Sequence, residues 1–179
     1  MARTSHTADE LRDLIAAPSA VGTPPTSLPY GSAAALPAGT PADRETELAV
    51  AATQREILAC YNTGEGLRTS SLYSAEFVRR IVRDNTARGV NLRRLCGGAR
   101  RETRRHRANW RGIVEVRDAT VLADGRVVAR FVVGYQSDPR ATETDVVFFV
   151  YERGRWRVDG FEIVDIAIPD DPTSTPPAD

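Results

Sequence analysis

Two carboxylates and two phenols are the side chains here whose type and setting best suit chemistry. Asp145 stands in TETDVVFFVYE and Asp118 in VEVRDATVL, each among alternating apolar residues. Successive side chains of a strand point to opposite faces, so an acid in phase with valines and phenylalanines points into an apolar interior. Desolvation there disfavours the anion, raises the carboxyl pKa and fits the group to take and return a proton near neutral pH. Tyr135 in VVGYQ and Tyr61 in ACYNTG are the phenols available beside such a carboxyl. Each has a plainer reading as well. Asp145 would sit at a strand start near a rim, Asp118 at a bulge that turns it to solvent, and the tyrosines in a core with bonded hydroxyls.

Other chemistries find less support. His6 lies in an Ala- and Pro-rich start and His106 in an Arg-rich run, and neither has metal-ligand or triad spacing. Cys60 and Cys96 also lack metal spacing and are read as two free thiols. No metal and no cofactor is therefore expected. With no G-x-S-x-G, phosphate-loop or dinucleotide fingerprint, hydrolytic or nucleotide-dependent chemistry is not expected either.

The strongest compositional anomaly is the stretch from Arg79 to Arg111, which holds twelve arginines against Asp84 and Glu102. Its densest part includes Arg93, Arg94, Arg100, Arg101, Arg104, Arg105 and Arg107, a patch suited to an anion or an acidic partner. From Ser137 onward the balance reverses to ten acids and four arginines, so pairing within the chain or between copies accounts for both halves. The net charge is zero and aromatic residues are sparse near the patch, which argues against nucleic acid. All basic residues are Arg, as a GC-rich coding bias would produce.

The residues from Trp110 to Ile168 must position the carboxylates. They read as a four-stranded antiparallel meander, turned at Asp124-Gly125 and Arg153-Gly154, where Gly accepts the positive φ of a tight hairpin. Two-residue turns set Val116 against Val133, Val114 against Tyr135, Tyr151 against Trp156 and Phe149 against Val158. A middle loop at Ser137 to Ala141 brings Tyr135 near Glu143 and Val133 near Asp145. One face then carries Val114, Val116, Phe131, Val133, Tyr135, Val147, Phe149, Tyr151, Trp156 and Val158. The opposite face mixes Val128, Val132, Phe148 and Val150 with Arg117, Arg130, Arg157 and Asp159. Such a strip suits pairing of two copies with Phe148 near the centre, unless the segment after Ile163 covers it.

Helices precede the sheet. Thr40 is expected to cap a helix with Pro41 at its first position, Val50, Ile57, Leu58 and Tyr61 on its apolar face, and Gly64 and Gly66 at its end. A short helix over Leu67 to Tyr73 follows, and Ser74 caps another in which Phe77, Val78 and Ile81 face inward. Residues 1–40, after a short helix at Ala8 to Ala17, read as a disordered Pro-, Ala-, Ser- and Thr-rich tether, and 169–179 as a disordered tail. No membrane span and no export signal is visible. The chain is read as cytoplasmic as written, or extracytoplasmic if an anchor or signal precedes it.

The helix ending in ILACYNTGEG, SLYSAEFVRR after it, and VEVRDATVLADGRVVARF followed by VVFFVYERGRWRVDGFEIVD carry a resemblance to the nuclear transport factor 2-like (SnoaL-like) superfamily over residues 43 to 168. The resemblance implies an α+β domain, here 41–168, with N-terminal helices packed on a curved antiparallel sheet that forms a cone around a central pocket. It also implies pairing through the sheet. Superfamily members range from isomerases, dehydratases and cyclases to transport adaptors, so the fold does not select a chemistry.

On this reading Tyr61, Phe77, Trp110, Phe131, Phe149, Tyr151 and Trp156 line the pocket, and a small apolar molecule is its expected ligand. The leading expectation is a non-catalytic ligand-binding or interaction domain. Two alternatives stand beside it: an isomerase-, dehydratase- or cyclase-type enzyme using Asp145 or Asp118 with Tyr135, and an accessory protein docking an acidic partner through the arginines.

Overall fold

The computed structural model describes residues 7–16, 35–87 and 110–167. The seven arginines of the dense basic run, Cys96 and the tail from 169 lie outside them. Four helices, α1 (Ala8–Ala16), α2 (Arg44–Thr63), α3 (Gly66–Ser70) and α4 (Ala75–Ala87), accompany a five-stranded antiparallel sheet. Its strands are β1 (Thr40–Pro41), β2 (Arg111–Val121), β3 (Val127–Tyr135), β4 (Thr142–Glu152) and β5 (Arg155–Ala167), side by side in chain order. Among the described residues no helix is long and apolar enough to cross a membrane.

The described fold begins before residue 41. Thr7 and Glu10 cap α1 reciprocally, and Leu11 on that helix is buried. The Arg79 guanidinium donates to the Leu14 carbonyl, tying α1 to α4. Thr40 and Pro41 do not open α2; they pair with Val121 and Thr120 as a fifth strand. The cap is Asp43, whose Oδ1 accepts from the Thr46 amide at 2.7 Å. Pro41 suits an edge strand because the edge leaves its missing N–H unneeded. Gly64 closes α2 at φ 74°, as expected from its freedom in the left-handed region. Ser74 caps α4 by accepting from the Phe77 amide. Backbone bonds from Ser74 and Leu72 to Val158 then fasten the α3–α4 connection to β5.

The Arg153-Gly154 turn holds its two-residue form, with φ of 52° and 78°, and gives the expected pairs Tyr151–Trp156 and Phe149–Val158. The first hairpin differs. Its loop is Ala123-Asp124-Gly125, with the Leu122 amide bonded to the Arg126 carbonyl and only Gly125 at positive φ. Two bulges follow along β2, one at Arg117/Thr120 and one at Ile113/Glu115. As a result Val116 meets Phe131 and Ile113 meets Val133, and Val114, expected inside, is 67% exposed. Each bulge adds a residue to one strand and inverts the facing beyond it. Between β3 and β4 the pairing is shifted by two residues, Val133 to Glu143 and Phe131 to Asp145, which leaves every facing intact.

The two faces of the sheet sort into two cores. Val127, Ala129, Phe131, Val133, Val147, Phe149 and Val158 pack against Val50, Ile57, Leu58 and Cys60 of α2 and against Leu72 and Phe77. On the opposite face Val128, Val146, Phe148 and Val164 form a second cluster, against which Leu36 and Leu122 pack. The Arg126 guanidinium lies 5.7 Å from the Phe148 ring centre. Phe148, expected to stand open at a subunit interface, is thus 1% exposed within the single chain.

Candidate functional site

A cavity of about 260 Å³ lies between α2 and the helix-facing side of the sheet. Helical spacing on α2 presents Gln54, Ile57, Leu58 and Tyr61 to it. Alternation on β4 presents Glu143, Asp145 and Val147, and β5 adds Val158, Phe161 and Ile163. Tyr73 closes one side, and Arg111 enters from the start of β2. The walls are apolar and aromatic, and the polar atoms gather where Arg111, Glu143 and Asp145 meet.

Glu143 is 2% exposed and fully engaged. Its Oε1 accepts from Arg111 Nη1 at 2.8 Å and its Oε2 from the Tyr135 hydroxyl at 2.5 Å. The Arg111 guanidinium lies 5.5 Å from the Tyr61 ring centre and 5.0 Å from that of Tyr135, so two π faces hold it in place. Asn62 fixes the backbone beneath. Its amide donates to the Arg111 carbonyl at 2.8 Å and accepts from the Arg111 amide at 3.0 Å, joining the end of α2 to the start of β2. Burial, and then the bond to Glu143, push the Tyr135 hydroxyl up to about 12, which keeps it a donor.

Asp145 is the unsatisfied member. It is 7% exposed, and its Oδ1 is buried without a partner among the described residues. Burial first, and then the charge of Glu143 and a hydrogen bond with it, push its carboxyl up to about 7, with Arg111 pulling weakly the other way. With the Glu143 charge beside it, the buried Asp145 is the carboxyl that gains by holding a proton. The arrangement can bind a polar group, and it can give or take a proton, near neutral pH.

Of the residues singled out from the sequence, Asp145 and Tyr61 line the cavity, while Tyr135 reaches it through Glu143. Phe131 and Phe149 lie fully buried in the core behind it, and Phe77 packs edge-on against the lining ring of Phe161. Trp156 packs against the same core from the partly buried shell. Tyr151 is instead 59% exposed, edge-on to Trp156 near the hairpin tip. Trp110 lines a separate open groove of about 390 Å³ with Gly112, Gly134, Tyr135 and Pro139. Asp118 sits at the Arg117/Thr120 bulge with φ 55°, exposed and paired with Arg130, which is its plainer reading.

Glu143, Arg111, Asn62, Gln54 and Tyr73 were not singled out beforehand. Glu143 carried a signal, since Glu-x-Asp on a strand puts both carboxylates on one face. Arg111 carried none, because its facing depends on the Ile113/Glu115 bulge. Among the described residues no group of three His, Cys, Asp or Glu gathers to hold a metal ion. Comparisons of the chain with known protein families, with curated proteins and with solved structures find no match.

Proposed function

We propose that the cavity binds a small, largely apolar molecule whose polar group meets the Asp145–Glu143 carboxyl pair. The observation that carries this is Asp145, which lines the apolar cavity and whose Oδ1 is buried without a partner among the described residues. A buried polar atom without a partner costs about 1–3 kcal/mol, and a ligand donor recovers that cost. The cavity is at the small end of ligand-sized sites. The order of helices and antiparallel strands is compatible with the nuclear transport factor 2-like arrangement, in which pockets of this kind are common. Ligand-observed NMR with a set of small apolar alcohols, ketones and amines tests the reading. Hits should be lost in Ile163→Trp, which fills the cavity from its half-exposed edge. Hits that survive this substitution would place binding elsewhere and sink the proposal.

A second reading, acid–base catalysis of the isomerase or dehydratase type, is favoured by the Asp145 carboxyl at about 7. It expects deuterium from the solvent to enter a bound ketone next to its carbonyl, and Asp145→Asn to abolish this. Exchange no faster than in buffer would remove the reading.

A further inference from the structure

Resting on the binding reading above, we propose that the ligand is a small aryl- or alkyl-substituted amine, bound as its ammonium ion between Asp145 and Glu143. Three features of the cavity converge on this class. First, the cavity holds two carboxyls and one guanidinium, and the guanidinium already donates to Glu143 between two tyrosine rings. The Arg111 charge is therefore spent, and a second negative charge on Asp145 has no cation of its own. Second, Asp145 Oδ1 is buried without a partner among the described residues, and it asks for a donor. An ammonium supplies three N–H donors and a positive charge, enough to bond Oδ1 and still reach Glu143. Third, the remaining lining offers the rings of Tyr61, Tyr73 and Phe161 beside aliphatic side chains. Such walls accept the apolar body and favour a nearby cation through their π faces.

The exchange balances simply. The ammonium enters, the proton held by Asp145 leaves to solvent, and the ligand cation takes that proton's place. The charged groups around Asp145 are Glu143 on its own strand and Arg111 on β2. Tyr135 from β3, Tyr61 from α2 and Tyr73 from the α3–α4 connection are the other titratable neighbours.

Phenethylamine and its neutral near-isostere 2-phenylethanol test the class on the full chain. NMR titration gives affinity, and calorimetry in two buffers of different ionisation enthalpy gives the protons released. At about pH 8 the amine should bind at least about tenfold more tightly than the alcohol, the worth of one charge-assisted contact. As the pH falls below the Asp145 transition, amine affinity should drop about tenfold per unit, with one proton released per molecule bound. Asp145→Asn should lose both the preference and the pH trend.

Equal or tighter binding of the alcohol would overturn the amine assignment and leave the binding reading standing. So would an amine affinity that rises in acid, or a preference that persists in Asp145→Asn. If neither compound binds at millimolar concentration, both readings fall. The wild-type pH series decides the matter even if the variant does not fold.

Discussion

Asp145 sets a charge-burial cost against the fold. Its carboxyl titrates near 7 in the folded chain, against an ordinary value of 3.8. The native state therefore holds a proton that the unfolded chain releases, so this group's stabilising contribution is complete below the ordinary value. It is lost as the pH rises through about 7. Wild-type stability in urea should fall over that window by an amount on the order of a few kcal/mol. Asp145→Asn should flatten the profile and stabilise the protein above the window. A wild-type profile already flat there would mean that the carboxyl ionises freely. The neighbouring core makes a simpler demand. Phe149 is fully buried against Phe131, at a ring separation of 5.9 Å, and Phe149→Ala should cost about 3–5 kcal/mol by chemical denaturation.

At the level of elements, a bulge and an asparagine bring Arg111 into the site. Without the extra residue near Val114, Arg111 would face away from Glu143; with it, Arg111 pairs across from Tyr135 and reaches the carboxylate. Asn62 holds that strand start as a neighbouring strand would, offering one donor and one acceptor to one residue. Asn62→Ala leaves both backbone groups unmatched in a largely buried place and should cost about 1–3 kcal/mol. It should also loosen Arg111, whose charge pulls the Asp145 carboxyl down, visible as a further rise of the Asp145 pKa in an NMR titration. The Arg153-Gly154 turn makes a separate prediction. Gly154 has φ 78° with open space around its Cβ position, so Gly154→Ala meets only backbone strain, roughly 1–2 kcal/mol. A neutral outcome in thermal melts would mean that the turn relaxes to another form.

For the whole molecule, the consequence lies on the sheet's second face. Phe148, Val128, Val146 and Val164 are closed over within one chain, with Leu36 from the segment leading into β1 among their neighbours. A charge placed there is stranded in a core. Phe148→Asp should therefore unfold the protein or destabilise it by about 4 kcal/mol or more. If the variant remains folded with wild-type stability and only its sedimentation changes, the second face opens in solution and serves an interface. Leu36, partly buried, packs against the same cluster, and Leu36→Ala should weaken it by about 1–2 kcal/mol, measured by the same melts.

The sequence alone determined the helix-then-sheet order, the Gly64 and Ser74 helix boundaries, the Arg153-Gly154 hairpin and the facing of β3, β4 and the first residues of β5. These follow from local chemistry: a glycine's left-handed freedom, a serine's side-chain cap, and a period of two that survives a shift of two residues. The pairing of Glu143 with Asp145 on one face was legible for the same reason. Only the tertiary structure decided the facing of Arg111, Val114 and Asp118. A bulge is settled by how two strands accommodate one another, and a single extra residue inverts everything beyond it. It also decided that Thr40–Pro41 joins the sheet while Asp43 caps the helix, because the strand partners lie some eighty residues away. The fate of Phe148 had the same origin. Alternation shows which residues share a face, but what covers that face is set by a segment that is neither periodic nor adjacent in the chain.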